Sequence, residues 1–444
     1  MINRVINYPG LGVTTKFVNG GFEKVEKVLP KAVDEFSKRA NVKGQFLGWV
    51  DLPKQQIARI NEIYEMADKL KANAAVPFLT VVGIGGSKHT VEHMLGVNGL
   101  NYDNKVMFYS DIDSTSLNRY MRRIGNDITK SNFLIASKSG STFETKDAML
   151  RFKTMMYNAY KERGLSDKDA NIETAKHFIA VTDKNEKTSE LRRLSDSEDW
   201  LGKLYIHDDV GGRFSSLDDH ALFTLAYAGL PKKDMVAILN GANEVSNIAL
   251  GDNIANNSPL LTAAFWANAR LSGIKDSIHI YLGDMFRSTA VMHTQMQNES
   301  IKDTSKTILL GAECMHHTSE AMYNPDNKFA FAFTTPVDRG VASENVKGYI
   351  DAISKANSAC GPSMLEMVET TDIGLKPETV GAFTQMRAFS TVYQEIIEKL
   401  VKGKSLPEVL DSVLQPHVEF YKKNLKPIEG NKPPVEAGRL SITV

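Results

Sequence analysis

The segment NFLIASKSGSTFETKDAMLRF, residues 132–152, decides how the chain is read. It opens on an apolar run rich in β-formers, breaks at Ser137 into small hydroxyl and glycine residues, and continues with apolar positions three and four apart. That order is a strand, a loop of hydrogen-bond donors and an amphipathic helix, which is the βα unit of a parallel sheet. The same rhythm lies on both sides. FLTVVGI (78–84), KVMFYSD (105–111) and HFIAVTD (177–183) read as sister strands, and KHTVEHMLG as one of the intervening helices. A second series follows in DSIHIYLGD (276–284), KTILLGAE (306–313) and FAFAFTTP (329–336). Residues 219–250, 256–273 and 378–403 carry the apolar period of helices with a buried face.

The expected fold class is therefore α/β with mainly parallel sheets, built twice. The expected boundaries are an N-terminal helical segment at 1–70 packing on the larger domain, a first domain at 71–215, a second and larger one at 216–425, and a C-terminal arm at 426–444. The turn-rich DDVGGRFSSLDDH (208–220) marks the junction, and the proline-interrupted KPIEGNKPPVEAGRL (426–440) reads as the surface arm.

Composition narrows the function. The 444 residues carry 53 basic and 53 acidic side chains, so no global field draws the chain to nucleic acid or to an anionic membrane. Any anion must be held locally. Two cysteines, Cys314 and Cys360, make no disulfide framework, and MINRVINYPGLGV lacks the apolar core of a signal peptide. A cytoplasmic location is expected. No window is long and apolar enough to span a bilayer.

Ligands of open parallel sheets settle at the carboxyl ends of the strands, where helix N-termini present unpaired N–H groups and partial positive charge. Residues 137–145 occupy such a place. Ser137, Ser139, Ser141, Thr142 and Thr145 offer hydroxyls, Gly140 permits close backbone approach, and Lys138 adds charge. Together they describe a phosphate cradle. The alternative is simple helix capping, with Glu144 completing a capping box from Ser141. A second glycine loop, GIGGS, sets Gly83, Gly85 and Gly86 after a strand and Ser87 at a helix start. It fits neither the dinucleotide fingerprint nor a Walker A loop.

GIGGS followed by SKSGSTFET resembles the sugar-isomerase (SIS) fold of phosphosugar-binding proteins. With VGGRFS (210–215), QMQNES (295–300) and QPHVEFYKK (415–423) in the same order, the chain resembles the glucose-6-phosphate isomerase family. The resemblance implies two SIS-type αβα sandwich domains with a helical C-terminal arm, a homodimer with shared active sites, and interconversion of glucose 6-phosphate and fructose 6-phosphate in glycolysis and gluconeogenesis. It implies substrate-binding roles for Gly85, Gly86, Ser87, Ser137, Lys138, Ser139, Thr142, Thr145 and Gln295.

Aldose–ketose exchange needs ring opening, a carboxylate that moves a proton between C1 and C2, and positive charge beside the enediolate. By the resemblance, Glu299 is the base and Arg213 the enediolate-facing cation. His316, or else His317, opens the ring with Lys422, or else Lys423. No metal, nucleotide or redox cofactor is called for. One departure stands out: the family commonly has glycine and lysine after Glu-Ser, where this chain reads ESIKD with Ile301 and Lys302.

Other readings remain. The fold also serves non-catalytic phosphosugar sensors, and a dual phosphoglucose/phosphomannose isomerase would share the same motifs. HTVEH (89–93) formally matches the H-x-x-E-H pattern of inverted zinc peptidases, and Cys314 with His316 could form part of a metal site.

Overall fold

The computed structural model describes residues 4–418 apart from 9–11, 18–21, 41, 73–74, 101–104, 275, 303–305, 312, 324–328, 337–341, 360–364 and 374–375. The chain opens with strands β1 (Arg4–Tyr8) and β2 (Val13–Phe17), then helices α1 (Leu29–Ala40) and α2 (Leu52–Lys71). The first series runs β3 (Phe78–Val82), α3 (Gly86–Val97), β4 (Val106–Tyr109), α4 (Ser114–Arg123), β5 (Ser131–Ala136), α5 (Phe143–Glu162), α6 (Asp167–Ala175), β6 (Phe178–Thr182), α7 (Glu190–Ser197) and β7 (Gly202–Tyr205). Three helices follow, α8 (Asp219–Ala228), α9 (Lys232–Leu250) and α10 (Ser258–Leu271). The second series runs β8 (Asp276–Tyr281), α11 (Arg287–Ser300), β9 (Lys306–Leu310), α12 (Cys314–Met322), β10 (Phe329–Pro336), α13 (Ala342–Ala359) and β11 (Leu365–Thr371), and α14 (Pro377–Val401) closes it.

Two sheets result. One has the order β4-β3-β5-β6-β7 and is parallel throughout. The other has the order β1-β2-β11-β10-β8-β9, with β11, β10, β8 and β9 parallel. Strand alternation splits the side chains between faces. In the first sheet Leu79, Val81 and Leu134 join a large central core, whereas Met107, Phe133 and Phe178 pack under α4 and α5. In the second, Ala330 and Ala332 face the centre while Phe331 and Phe333 face an outer cluster with Ile350 and Ile353 of α13. Each sheet is thus covered on both sides, as its apolar strands demand. Helix α14 runs through the central core and is buried at every residue from Thr379 to Glu398. It presses close to α9: a Cβ on Gly381 would lie 1.7 Å from the Ile238 carbonyl oxygen, and one on Gly241 would lie 1.9 Å from that of Glu378.

The α/β class with mainly parallel sheets matches the reading of the sequence, and the N-terminus corrects it. Residues 1–70 do not form a purely helical segment. Strands β1 and β2 pair antiparallel, and β2 docks antiparallel on β11, with Phe17 opposite Met367. Val13, Thr15 and Phe17 are buried at a spacing of two, a period hidden in the sequence by the polar Thr14, Thr15 and Lys16. Strands β7 and β11 also add to the expected set. The arm at 426–444 lies outside the described residues. Among these, no helix is long and apolar enough to cross a membrane.

Candidate active site

In the first sheet the chain leaves β3 toward β4 on one side, then crosses back to β5 on the other. Strand order therefore reverses between β3 and β5, and a crevice opens at their carboxyl ends. Both loops singled out in the sequence emerge there, residues 83–85 after β3 and 137–142 after β5. A cleft of about 1820 Å³ fills this crevice and extends to Gln295 and Glu299 of α11 and to the segment around Gln415. Gly85, Gly86, Ser87, Ser137, Lys138, Ser139, Thr142, Thr145, Arg213, Gln295 and Glu299 all line it.

The hydroxyl loop is held by its own groups. Ser137 Oγ accepts from the Gly140 amide at 3.1 Å, and Ser139 and Ser141 share a 2.6 Å hydroxyl contact. Gly140 takes φ +78° with its Cα packed against Leu191, where a Cβ would lie 2.4 Å from the Leu191 nitrogen. The capping-box alternative does not form: Thr142 occupies the N-cap of α5 and makes no side-chain cap, while the Ser141 hydroxyl is engaged with Ser139. Thr142 and the first-turn residues Phe143 and Thr145 line the cleft, and the Thr142 hydroxyl, which accepts from Ser137 Oγ at 3.4 Å, makes no capping bond to α5. Thr145 Oγ1 and Gln295 Oε1 are buried with no hydrogen-bond partner, the condition expected of groups awaiting a polar ligand.

The glycine loop serves packing as well as access. A Cβ on Gly86 would stand 2.1 Å from the Gly212 carbonyl carbon, so this loop and GGRF interlock backbone to backbone. Arg213 follows directly and is almost fully buried, at 2% exposure. Its Nε donates to Ser300 Oγ at 2.9 Å, Nη2 donates to the carbonyls of Ser412 and Leu414, and Nη1 reaches Glu299 Oε2 at 3.3 Å. Burial holds its pKa below the usual arginine value and Glu299 opposes that shift, but a guanidinium keeps its charge regardless.

Glu299 sits in the last turn of α11, and Gln295 one turn earlier donates Nε2 to Glu299 Oε1 at 2.8 Å. One carboxylate oxygen thus meets an amide and the other a guanidinium. Helix α11 packs on α3, the helix that begins at Gly86, so the carboxylate and the glycine loop are placed by one helix pair.

His316 lies on α12, exposed, and is not among the residues lining this cleft. Cys314 is buried in the outer core, where burial pushes its thiol up to about 11; with His316 on the solvent side, the two do not converge on a metal. Lys422, Lys423 and the side chain of His317 lie outside the described residues. Nor does HTVEH build a metal site. His93 is buried with Nδ1 2.8 Å from Thr289 Oγ1 and Nε2 2.9 Å from Thr384 Oγ1, and His89 pairs with Glu92. Among the described residues the grouping of metal-type ligands is His207, Asp218 and Asp219. There His207 Nδ1 bonds Asp218 at 2.6 Å, while Arg59 and Gln56 donate to Asp219 Oδ1. Internal donors already occupy those oxygens, which makes the cluster a structural junction.

Sequence reasoning did not assign Gln415. It lines the cleft, and its Oε1 lies 3.5 Å from Arg213 Nη1. The signal was present as the first residue of QPHVEFYKK.

A family model for phosphoglucose isomerase matches residues 50–324. A glucose-6-phosphate isomerase of Desulfitobacterium hafniense is 26% identical over 84% of this chain and 71% of its own length. One from Exiguobacterium sibiricum is 32% identical over 51% of this chain, but the match spans only 49% of that protein. Among solved structures, a glucose-6-phosphate isomerase from Chlamydia trachomatis superposes with a TM-score of 0.75 over 95% of this chain and 88% of its own, at 20% identity. A hypothetical protein from Thermus thermophilus superposes with a TM-score of 0.73 over 95% and 98%, at 21% identity. At such identities the superpositions speak for the fold. The family match covers more than half of the sequence, from ahead of the glycine loop to beyond Glu299, and the chain belongs to the phosphoglucose isomerase family of enzymes.

Proposed function

We propose that the chain interconverts glucose 6-phosphate and fructose 6-phosphate by ring opening and proton transfer through an enediolate. The observation that carries this reading is the meeting of Glu299, Gln295 and Arg213 in the cleft that also receives the hydroxyl loop. The phosphate binds Ser137, Ser139, Thr142 and Thr145 at the start of α5, with Lys138 adding charge. Binding energy from this non-reacting end orients the sugar toward the second domain. Gly85, Gly86 and Ser87 form the near wall.

Glu299 removes the C2 proton of the open-chain aldose and returns it to C1. Gln295 fixes one carboxylate oxygen, leaving the other to work between Arg213 and substrate. As charge moves from the carboxylate to the enediolate, Arg213 loses attraction to the first and gains it to the second, without reorganising. Ring opening falls to Lys422 and His316. Because His316 is exposed and away from this chain's cleft, it acts from a second copy, which makes the working unit a homodimer with shared sites. The proton moves within the substrate, so the scheme calls on no cofactor. The resemblance gives it a place in glycolysis and gluconeogenesis, and the low cysteine count fits a cytoplasmic enzyme.

The test is a coupled assay with fructose 6-phosphate after exhaustive chelation. Turnover supports the reading. Tight binding of the sugar phosphate without turnover would favour a sensor instead.

A further inference from the structure

The segment that brings Gln415 to the cleft is clamped from two sides. From α14, the buried Glu395 accepts two successive backbone N–H groups, that of Asp411 on Oε1 at 3.0 Å and that of Ser412 on Oε2 at 2.7 Å. Lys399, one helical turn on, lies 3.0 Å from Glu395 Oε1 and 2.6 Å from Asp411 Oδ2, which balances the buried charge. From the opposite side, Arg213 Nη2 donates to the carbonyls of Ser412 and Leu414, and Lys302 Nζ donates to the carbonyl of Asp411. The turn thus has its N–H groups on an anion and its C=O groups on two cations.

We propose that Glu395 is a positioning residue for Arg213 and Gln415. It does not line the cleft and touches no reacting atom. Its effect passes through the turn. Only while Asp411 and Ser412 are held do the carbonyls of Ser412 and Leu414 stand where Arg213 Nη2 can use them. That bond in turn points Nη1 at Glu299 Oε2 and Gln415 Oε1, at 3.3 and 3.5 Å. Lys302, part of the departure at ESIKD, is the second anchor of the same turn: it ties the chain just beyond the base to the segment that carries Gln415. A carboxylate bonded to two adjacent amides leaves both unsatisfied when removed, so the effect on the turn is large for a residue outside the site.

This inference rests on the isomerase reading, and the experiment separates the two. The full-length chain, Glu395→Gln, Glu395→Ala and Lys302→Ala are compared by steady-state turnover of fructose 6-phosphate and by hydrogen exchange. The expected result for the Glu395 variants is a kcat reduced ~10–100-fold with KM within ~3-fold, because the phosphate cradle lies on the other sheet. Lys302→Ala gives a smaller loss of the same kind. Exchange should rise at residues 411–415 and 210–215 while that at 137–145 is the same as in the parent chain. In a cycle with Arg213→Gln the losses should be less than additive, since both act through one turn. A kcat within ~3-fold of the parent in both Glu395 variants, additive losses, or unchanged exchange at 411–415 overturns the proposal. If the parent chain itself shows no turnover, the isomerase reading fails and the exchange result alone decides for or against the clamp.

Discussion

Arg213 is tied to a serine, two carbonyls and a carboxylate in a nearly dry setting. A permanent cation so fixed loses little by waiting for an anionic intermediate. The carboxylate it meets is the other half of the chemistry. Replacing Glu299 by Gln keeps the shape and the Gln295 contact but removes the proton acceptor; kcat should fall by at least about 10²–10⁴-fold, with sugar-phosphate affinity retained. Steady-state kinetics and isothermal titration check both halves. Gly86→Ala is predicted to damage the site for a steric reason, since its Cβ would meet the Gly212 carbonyl at 2.1–2.3 Å. Relief requires moving GGRF and Arg213 with it, so thermal unfolding should show a loss of about 1–3 kcal/mol together with falling kcat. Glu299, Gln295 and Arg213 were legible because each lies inside a short contiguous motif. Gln415 also opens a short motif, QPHVEFYKK, but its role shows only where the fold brings it to Arg213, 202 residues away.

At the level of elements, the hydroxyl loop separates two roles that serine-rich helix starts often combine. Thr142 stands at the N-cap of α5 yet makes no capping bond. Thr142→Ala should therefore leave the melting temperature nearly unchanged, whereas loss of a working cap costs about 0.5–2 kcal/mol. The same change combined with Ser139→Ala should raise KM for fructose 6-phosphate by about tenfold or more, as charge-assisted bonds to phosphate are lost. Unchanged affinity with a lowered melting temperature would restore the capping interpretation. Seven of the parallel strands could be read in advance because they are short apolar runs, and those at the centre of the sheets, such as β5 and β6, are buried on both faces. Strand β7, GKLY, is too short and too polar to announce itself, and β11, LEMVETT, alternates glutamates that become buried only beneath α13 and α14: Glu366 accepts from Ser354 and Glu369 pairs with Arg387.

Across the whole molecule, pairing at long range decides what local pattern cannot. The β1–β2 hairpin finds its place only against β11, some 350 residues later, so no window of sequence could reveal it. The buried histidines distribute charge effects in the same long-range way. Burial, helped by Arg387, lowers His93 to about 3 from 6.5, and burial also lowers His177 and His220. These rings are neutral when folded and take up protons when unfolded, so stability is complete above about pH 6.5 and declines as pH falls toward 3. His207 has the opposite sign. Burial pulls it down, but Asp218 and Asp219 outweigh that and hold it above the usual value, so its contribution is complete below about pH 6.5 and is lost as pH rises through the folded value. Urea midpoints across pH 4–9 should therefore fall at the acid end, and the alkaline slope should flatten in His207→Asn. A midpoint that rises on acidification would contradict the first assignment, and an unaltered alkaline slope the second. The central claim joins the two sheets: a phosphate held by the first sheet presents a sugar to a carboxylate carried by the second. It is tested most directly by turning over fructose 6-phosphate in deuterium oxide and locating the label by NMR. Deuterium is expected at C2 of the glucose 6-phosphate formed by the parent chain, entering whenever the proton held on Glu299 exchanges with solvent before it is delivered, and none above background with Glu299→Gln; equal labelling by both would contradict the claim.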